Sequence, residues 1–150
     1  MNEAHNSDGD LMTEIQFREL RFNLLHTCSW ISNSLRQFLQ PYDITPKQYN
    51  ILRILQECAP QSLSIQEIRE KLADKMSDAS RLVDRLEKKG LIDKFPSEQD
   101  RRSNRASITA HGKQLLHKVD NDRQKLDRQI SDRLSHDEVE QLNDLLVQLK

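Results

Sequence analysis

Only three glycines occur in the 150 residues, and Gly9, Gly90 and Gly112 lie far apart. A phosphate-cradling loop or a dinucleotide-binding crossover needs several glycines in one short turn, so neither is expected. There are two cysteines, Cys28 and Cys58, with no CxxC pair and no Cys/His group at zinc spacing. The five histidines are scattered, and His111 and His117 are poorly spaced for one helix face. No apolar run approaches the roughly 20 residues of a membrane span, and no charged-then-apolar leader opens the chain. These shortages predict a soluble, cytoplasmic, reduced protein with no cofactor, no metal and no membrane contact. No nucleophile elbow or paired-carboxylate site stands out either, so an enzyme is not expected.

What the chain does have is charge and helix-forming residues. Charged residues make up 31% and hydrophobic ones only 35%, with net charge −1. That is thin for one compact core, so the fold is either elongated and helical or completed by a second copy. Abundant Leu, Glu, Lys, Arg and Gln with few breakers predict a mostly α protein.

Residues 1–12 are polar and unpatterned and read as a mobile N-terminal tail. From Ile15 to Phe38, Leu24, Leu25, Cys28, Ile31 and Leu35 recur at helical spacing, and Pro41 ends that helix. Thr45-Pro46-Lys47-Gln48, Ser64-Ile65-Gln66-Glu67 and Ser135-His136-Asp137-Glu138 are capping boxes that open three further helices. The second of these is short, about 65–72. Another helix is predicted from Ser77 to Lys89, capped by Gly90. The period then drops from 3.6 to 2. Leu91 to Phe95 reads as a strand closed at an edge by Pro96, and Arg105 to Ile108 reads as its return. After Thr109 one helical pattern runs through Leu116, Val119, Leu126, Ile130 and Leu134. The expected division is a tail at 1–12, an N-terminal dimerisation helix at 13–43, a winged helix-turn-helix at 44–109 and C-terminal dimerisation helices at 110–150. The winged unit proper runs over about 64–109.

Two short helices, a tight connection and a β-hairpin are the order of a winged helix-turn-helix, whose second helix enters the major groove. On the helix 77–89, Ala79, Leu82, Val83 and Leu86 form an inward stripe. Ser77, Ser80, Arg81, Asp84, Arg85 and Lys88 lie opposite. Small hydroxyls permit close approach, and an arginine can bind guanine O6 and N7 with both guanidinium arms. The hairpin tip carries Asp100, Arg101 and Arg102. An arginine on such a tip suits a narrow minor groove, and Asp100 suits a charge-assisted pair that orients Arg102. Asp84 is expected to pair locally with an arginine. From Lys75 to Arg105 nine basic residues face six acidic ones, a local charge of +3 on a chain of −1. An ordinary solvated helix face is the alternative for the four cations at 81–89, and a simple turn residue for Asp100.

The stretch Ser80-Arg81-Leu82-Val83-Asp84-Arg85-Leu86-Glu87-Lys88-Lys89-Gly90-Leu91 resembles the recognition helix of the MarR family. Asp100-Arg101-Arg102 followed by Ile108-Thr109 and Gly112, and upstream Ile44-Thr45-Pro46-Lys47-Gln48-Tyr49, resemble the same family. The likeness covers about 44–112. The link Gln40–Asp43 looks short, a departure near the expected effector region. The resemblance implies a mostly α fold with a small β-wing, flanked by N- and C-terminal helical dimerisation regions. It implies a homodimeric transcriptional regulator, usually a repressor, on a pseudo-palindromic operator in double-stranded DNA. It also implies release by a small aromatic or phenolic effector, for which His26, Trp30 and Tyr49 are candidates beside their default role as core packing. Unpartnered apolar stripes on the flanking helices point independently to a two-fold dimer. Two other readings stay open: a winged-helix scaffold that binds a protein, and a regulator that senses thiol oxidation. Cys28, in an apolar stripe, is expected to be buried and inert.

Overall fold

The computed structural model describes the backbone of residues 4–149 except 73 and 99–102, with side chains from residue 12. The chain divides into two compact units, Met1–Gln37 and Phe38–Lys150.

The first unit is one helix, the greater part of α1 (Ala4–Leu39). It starts well before Ile15, so the segment read as a tail is helical from Ala4. A run of polar residues carries no apolar stripe, and periodicity therefore misses it. Phe17, Phe22 and Leu25 are 56%, 58% and 71% exposed. Cys28 is exposed as well, which corrects the expectation of a buried thiol. An apolar stripe says which side chains share a face and not whether that face is covered within the same chain.

The second unit opens with a 3-10 turn (Gln40–Tyr42), which Asp43 leaves at φ 54°. α2 (Pro46–Cys58) follows, capped by Thr45 and Gln48 in a closed capping box. β1 (Leu63–Ser64) leads into α3 (Ile65–Lys71), capped by Ser64 and Glu67. α4 (Ala79–Lys88) ends in a Schellman motif: Gly90 sits at φ 67°, its N–H donates to Glu87, and the Leu91 N–H donates to Leu86. β2 (Ile92–Pro96) and β3 (Asn104–Ile108) form the wing. α5 (Ala110–Asp122), α6 (Gln124–Ser131) and α7 (His136–Gln148) complete the chain, with Ser135 and Glu138 closing the third predicted capping box.

The antiparallel sheet has the order β1-β3-β2. Leu63 pairs with Ala106, and Ile92 through Pro96 pair with Ile108 back to Asn104. β2 is therefore an edge strand, where Pro96 is tolerated for want of a second ladder partner. β1 was not legible in the sequence because two residues cannot display a period. The pattern after Thr109 also divides, at Arg123, into α5 and α6. Arg123 keeps helical dihedrals of −54° and −30°, so the break is shallow.

Ile51, Leu52 and Leu55 of α2, Ile68 of α3, Val83 and Leu86 of α4, Ile92 and Ala106 of the sheet, and Val119 of α5 are almost wholly buried. α2 packs on α3, α4, α5 and β3, so it is the centre of this unit.

Ser64 also sets a pH dependence. Its backbone N–H and hydroxyl hold the Glu67 carboxyl below the ordinary carboxylate range. A carboxyl lowered by folding adds stability that is complete above the unfolded value of 4.5 and is lost as pH falls through the folded value. Ser64→Ala is expected to cost about 1 kcal/mol at neutral pH, and Glu67→Gln to make the acid limb of a stability–pH curve shallower. Urea titrations across pH 3–7 (about that span) check both.

Candidate nucleic-acid interface

The recognition-helix candidate, α4, is set by two neighbouring residues that both suit an N-cap. Asp78 takes the position, its carboxylate accepting the Arg81 N–H at 3.1 Å. Ser77, expected to start the helix, instead donates its hydroxyl to Asp74 at 3.0 Å and is buried. Asp74 also accepts from Lys47 of α2 at 2.8 Å and from the Met76 N–H. These donors, Lys47 foremost, hold its carboxyl below the ordinary range. The loop before α4 is thereby fastened to α2.

Ala79, Val83 and Leu86 are buried and Leu82 is half-buried, as the inward stripe requires. Ser80, Arg81, Arg85 and Lys88 are exposed on the other side. Arg81 is 80% exposed, and its Nε lies 3.2 Å from Asp78. The residue that caps the helix thus also leans the guanidinium over its N-terminal end.

Asp84 pairs with a lysine of the wing and not with an arginine. Lys94 Nζ lies 2.5 Å from Asp84 and 3.6 Å from Glu87. The hydrogen bond to Asp84 is the main reason the Lys94 amine is held above its ordinary value. This pairing offsets one of the two acidic charges on α4 and ties β2 to the helix.

Two further cations in the basic stretch also turn to protein partners. Lys89 donates to the Asp43 carbonyl and lies 2.8 Å from its carboxylate. Arg105 donates to Ser62 Oγ at 2.8 Å and to the Ser62 carbonyl, and sits 3.5 Å from Glu67. The local surplus read from the sequence is thus partly spent on internal fastening. Arg81, Arg85 and Lys88 are the described candidate cations that α4 turns outward.

The Ser97 N–H donates to the Ser103 carbonyl at 2.9 Å and closes the base of the wing tip. Asp100, Arg101 and Arg102 lie outside the described residues. Of the effector candidates, His26 tilts against Phe22 with ring centroids 4.1 Å apart, and Trp30 is half-buried. Both belong to the first unit. Tyr49 belongs to the second, half-buried on α2, where burial raises its phenol. Among the described residues no three His, Cys, Asp or Glu side chains group as around a metal. None of the described helices is long and apolar enough to cross a membrane.

A three-helix unit, a Schellman exit and a three-stranded wing define a winged helix-turn-helix protein. The MarR family model matches residues 44–104, the stretch that holds α2, α3, α4 and the wing. The HTH-type transcriptional regulator PapX of Escherichia coli is 37% identical over 82 residues, 55% of this chain and 50% of PapX. The chain spans about half to two thirds of the first curated relatives it matches. The MarR C80S mutant of E. coli complexed with operator DNA superposes with TM-score 0.76 at 26% identity, covering 85% of this chain and 91% of that one. A MarR-like regulator from Bacillus cereus shares the fold, with TM-score 0.80 at 19% identity over 90% and 96% of the two chains.

Proposed function

We propose that this chain is a sequence-specific DNA-binding transcriptional regulator, a cytoplasmic homodimer that represses from a pseudo-palindromic operator. The observation that carries the reading is α4. It buries Ala79, Val83 and Leu86 and turns Ser80, Arg81, Arg85 and Lys88 outward on one face. Arg81 is the base reader in this account, Arg85 and Lys88 are phosphate contacts, and Ser80 allows close approach. Ser77 serves indirectly by fixing the loop before the helix. Arg101 and Arg102 act at the minor groove, with Asp100 orienting Arg102. The operator complex of the MarR C80S mutant supports this use of the fold.

The dimer is supported by apolar side chains the single chain leaves uncovered: Phe17, Phe22 and Leu25 on α1, and Leu145, Val147 and Leu149 at the C-terminal end. Large apolar side chains left exposed in such numbers are costly in water and are ordinarily covered by a partner. A two-fold pair then presents two copies of α4 about one DNA turn apart. A protein-binding scaffold is disfavoured because the outward face of α4 lacks aromatic or leucine anchors. Release by a small aromatic or phenolic ligand belongs to the same reading, with His26, Trp30 and Tyr49 the side chains to vary. The exposure of Cys28 favours one second reading, release by thiol oxidation, which unchanged DNA binding after peroxide treatment would remove.

The test uses a duplex that the parent chain selects from a random-sequence pool. Arg81→Ala is expected to weaken binding by about 1–3 kcal/mol and to relax preference at one position of each half-site. Equal affinity and equal preference in the two proteins would remove Arg81 from the interface.

A further inference from the structure

The last turn of α5 is built against its own electrostatics. A helix C-terminus carries partial negative charge and favours cations, yet Asp120 and Asp122 both lie there. Donors from the N-terminal side of the same unit meet them. Tyr42, in the 3-10 turn before α2, donates its hydroxyl to Asp122 Oδ2 at 2.5 Å. Arg53 of α2 reaches Asp120 with Nη1 at 3.3 and 3.5 Å from the two carboxylate oxygens. Lys125 adds a contact to Asp122 at 3.3 Å. The two ends of the Tyr42–Asp122 bond titrate in opposite senses. Burial first, then the bond and the charge of Asp122, push the Tyr42 phenol up to about 12, and the same bond, followed by Lys125, lowers Asp122.

These contacts tie α2 and the turn before it to the last turn of α5 within the second unit. On one side α2 packs on α4 and, through Lys47 and Asp74, holds the loop that starts it. On the other, α5 passes almost unbroken through Arg123 into α6. The first turn of α5 is packed against the exit of α4, so a small change of tilt at its last turn swings α6 relative to α4. The sequence motifs of the winged unit do not include Tyr42, Arg53, Asp120 or Asp122.

We propose that the Tyr42–Asp122 hydrogen bond, backed by Arg53–Asp120, fixes the angle between the DNA-binding module and α5–α6, and so sets which half-site spacing the dimer accepts. The inference rests on the DNA-binding dimer proposed above. Adding one base pair between half-sites turns one of them by roughly 34° and shifts it by about 3.4 Å. A fixed angle should resist that displacement, and a loosened one should tolerate it.

Tyr42→Phe keeps shape and removes the bond, and Asp122→Asn keeps shape, removes the charge and leaves only a weaker neutral acceptor. Both full-length variants and the parent would be titrated with the selected duplex, with copies whose spacer is changed by one or two base pairs in either direction (about the range a turn of duplex makes informative), and with a single half-site. The parent is expected to lose about tenfold or more per altered base pair, and the variants under about threefold. Single half-site affinity should be the same in all three. In Asp122→Asn, ultraviolet titration should show one of the two phenols ionising at lower pH than in the parent. A variant that keeps the parental spacing profile overturns the proposal, and so does one that loses single half-site binding as steeply, which would mark a general structural role. A parent that selects no sequence removes the DNA-binding reading itself, and this inference with it.

Discussion

Gly112→Ala should lower the stability of this protein by roughly 3 kcal/mol and its melting temperature by about 10 °C. Gly112 is buried in the first turn of α5, its N–H donating to the Thr109 hydroxyl at 3.0 Å. A Cβ placed there would strike the Leu91 carbonyl oxygen, and it would lie 2.7 Å from Ile108 Cγ1 and 3.2 Å from the Leu91 carbonyl carbon. The obstacle is mainly backbone, and that backbone is tied down. The Leu91 carbonyl accepts the Thr109 N–H at 3.1 Å, the Leu91 N–H closes the Schellman motif at 3.0 Å, and the Thr109 hydroxyl donates to the Gly90 carbonyl at 2.8 Å. Relief requires moving α5 away from the exit of α4 or undoing that exit. Either displaces α4, so on the proposed function DNA affinity should fall together with stability. Thermal and urea unfolding followed by circular dichroism measure the effect. A loss below about 0.5 kcal/mol would show that α5 moves freely against the wing.

Local chemistry was legible in the sequence wherever one residue's backbone need has one side-chain answer. The capping boxes at Thr45, Ser64 and Ser135 form as read, because a hydroxyl and an amide or carboxylate three residues on satisfy the same exposed N–H groups in any context. Gly90 was legible because the end of α4 needs a positive φ. The inward stripe of α4 was legible from its period. Ser77 and Asp78 were not separable, since both are good caps, and the choice depends on Asp74 being held by Lys47 across the fold. The partner of Asp84 is likewise tertiary. An arginine one turn away looked apt, but the wing brings Lys94 nearer. The same holds for Lys89 and Arg105, counted toward a basic surface and found fastened to Asp43, Ser62 and Glu67. A charge count locates a basic segment, but the folded chain decides which of its cations face outward.

That division leads to the measurement bearing most directly on the central claim. If α4 and the wing bind DNA through Arg81, Arg85, Lys88 and the tip arginines of two copies, each phosphate contact releases a condensed counterion. The logarithm of affinity then falls linearly with the logarithm of salt, by about 0.9 for each phosphate neutralised. Two modules give on the order of six to ten such contacts, so binding to the selected duplex should weaken about a thousandfold or more between 50 and 200 mM salt. Anisotropy titrations of the full chain against that duplex measure the slope directly. A steep linear loss, with the selected sequence preferred over random duplex, is the result predicted. Binding that hardly changes with salt, or no preference for any sequence, would contradict the account.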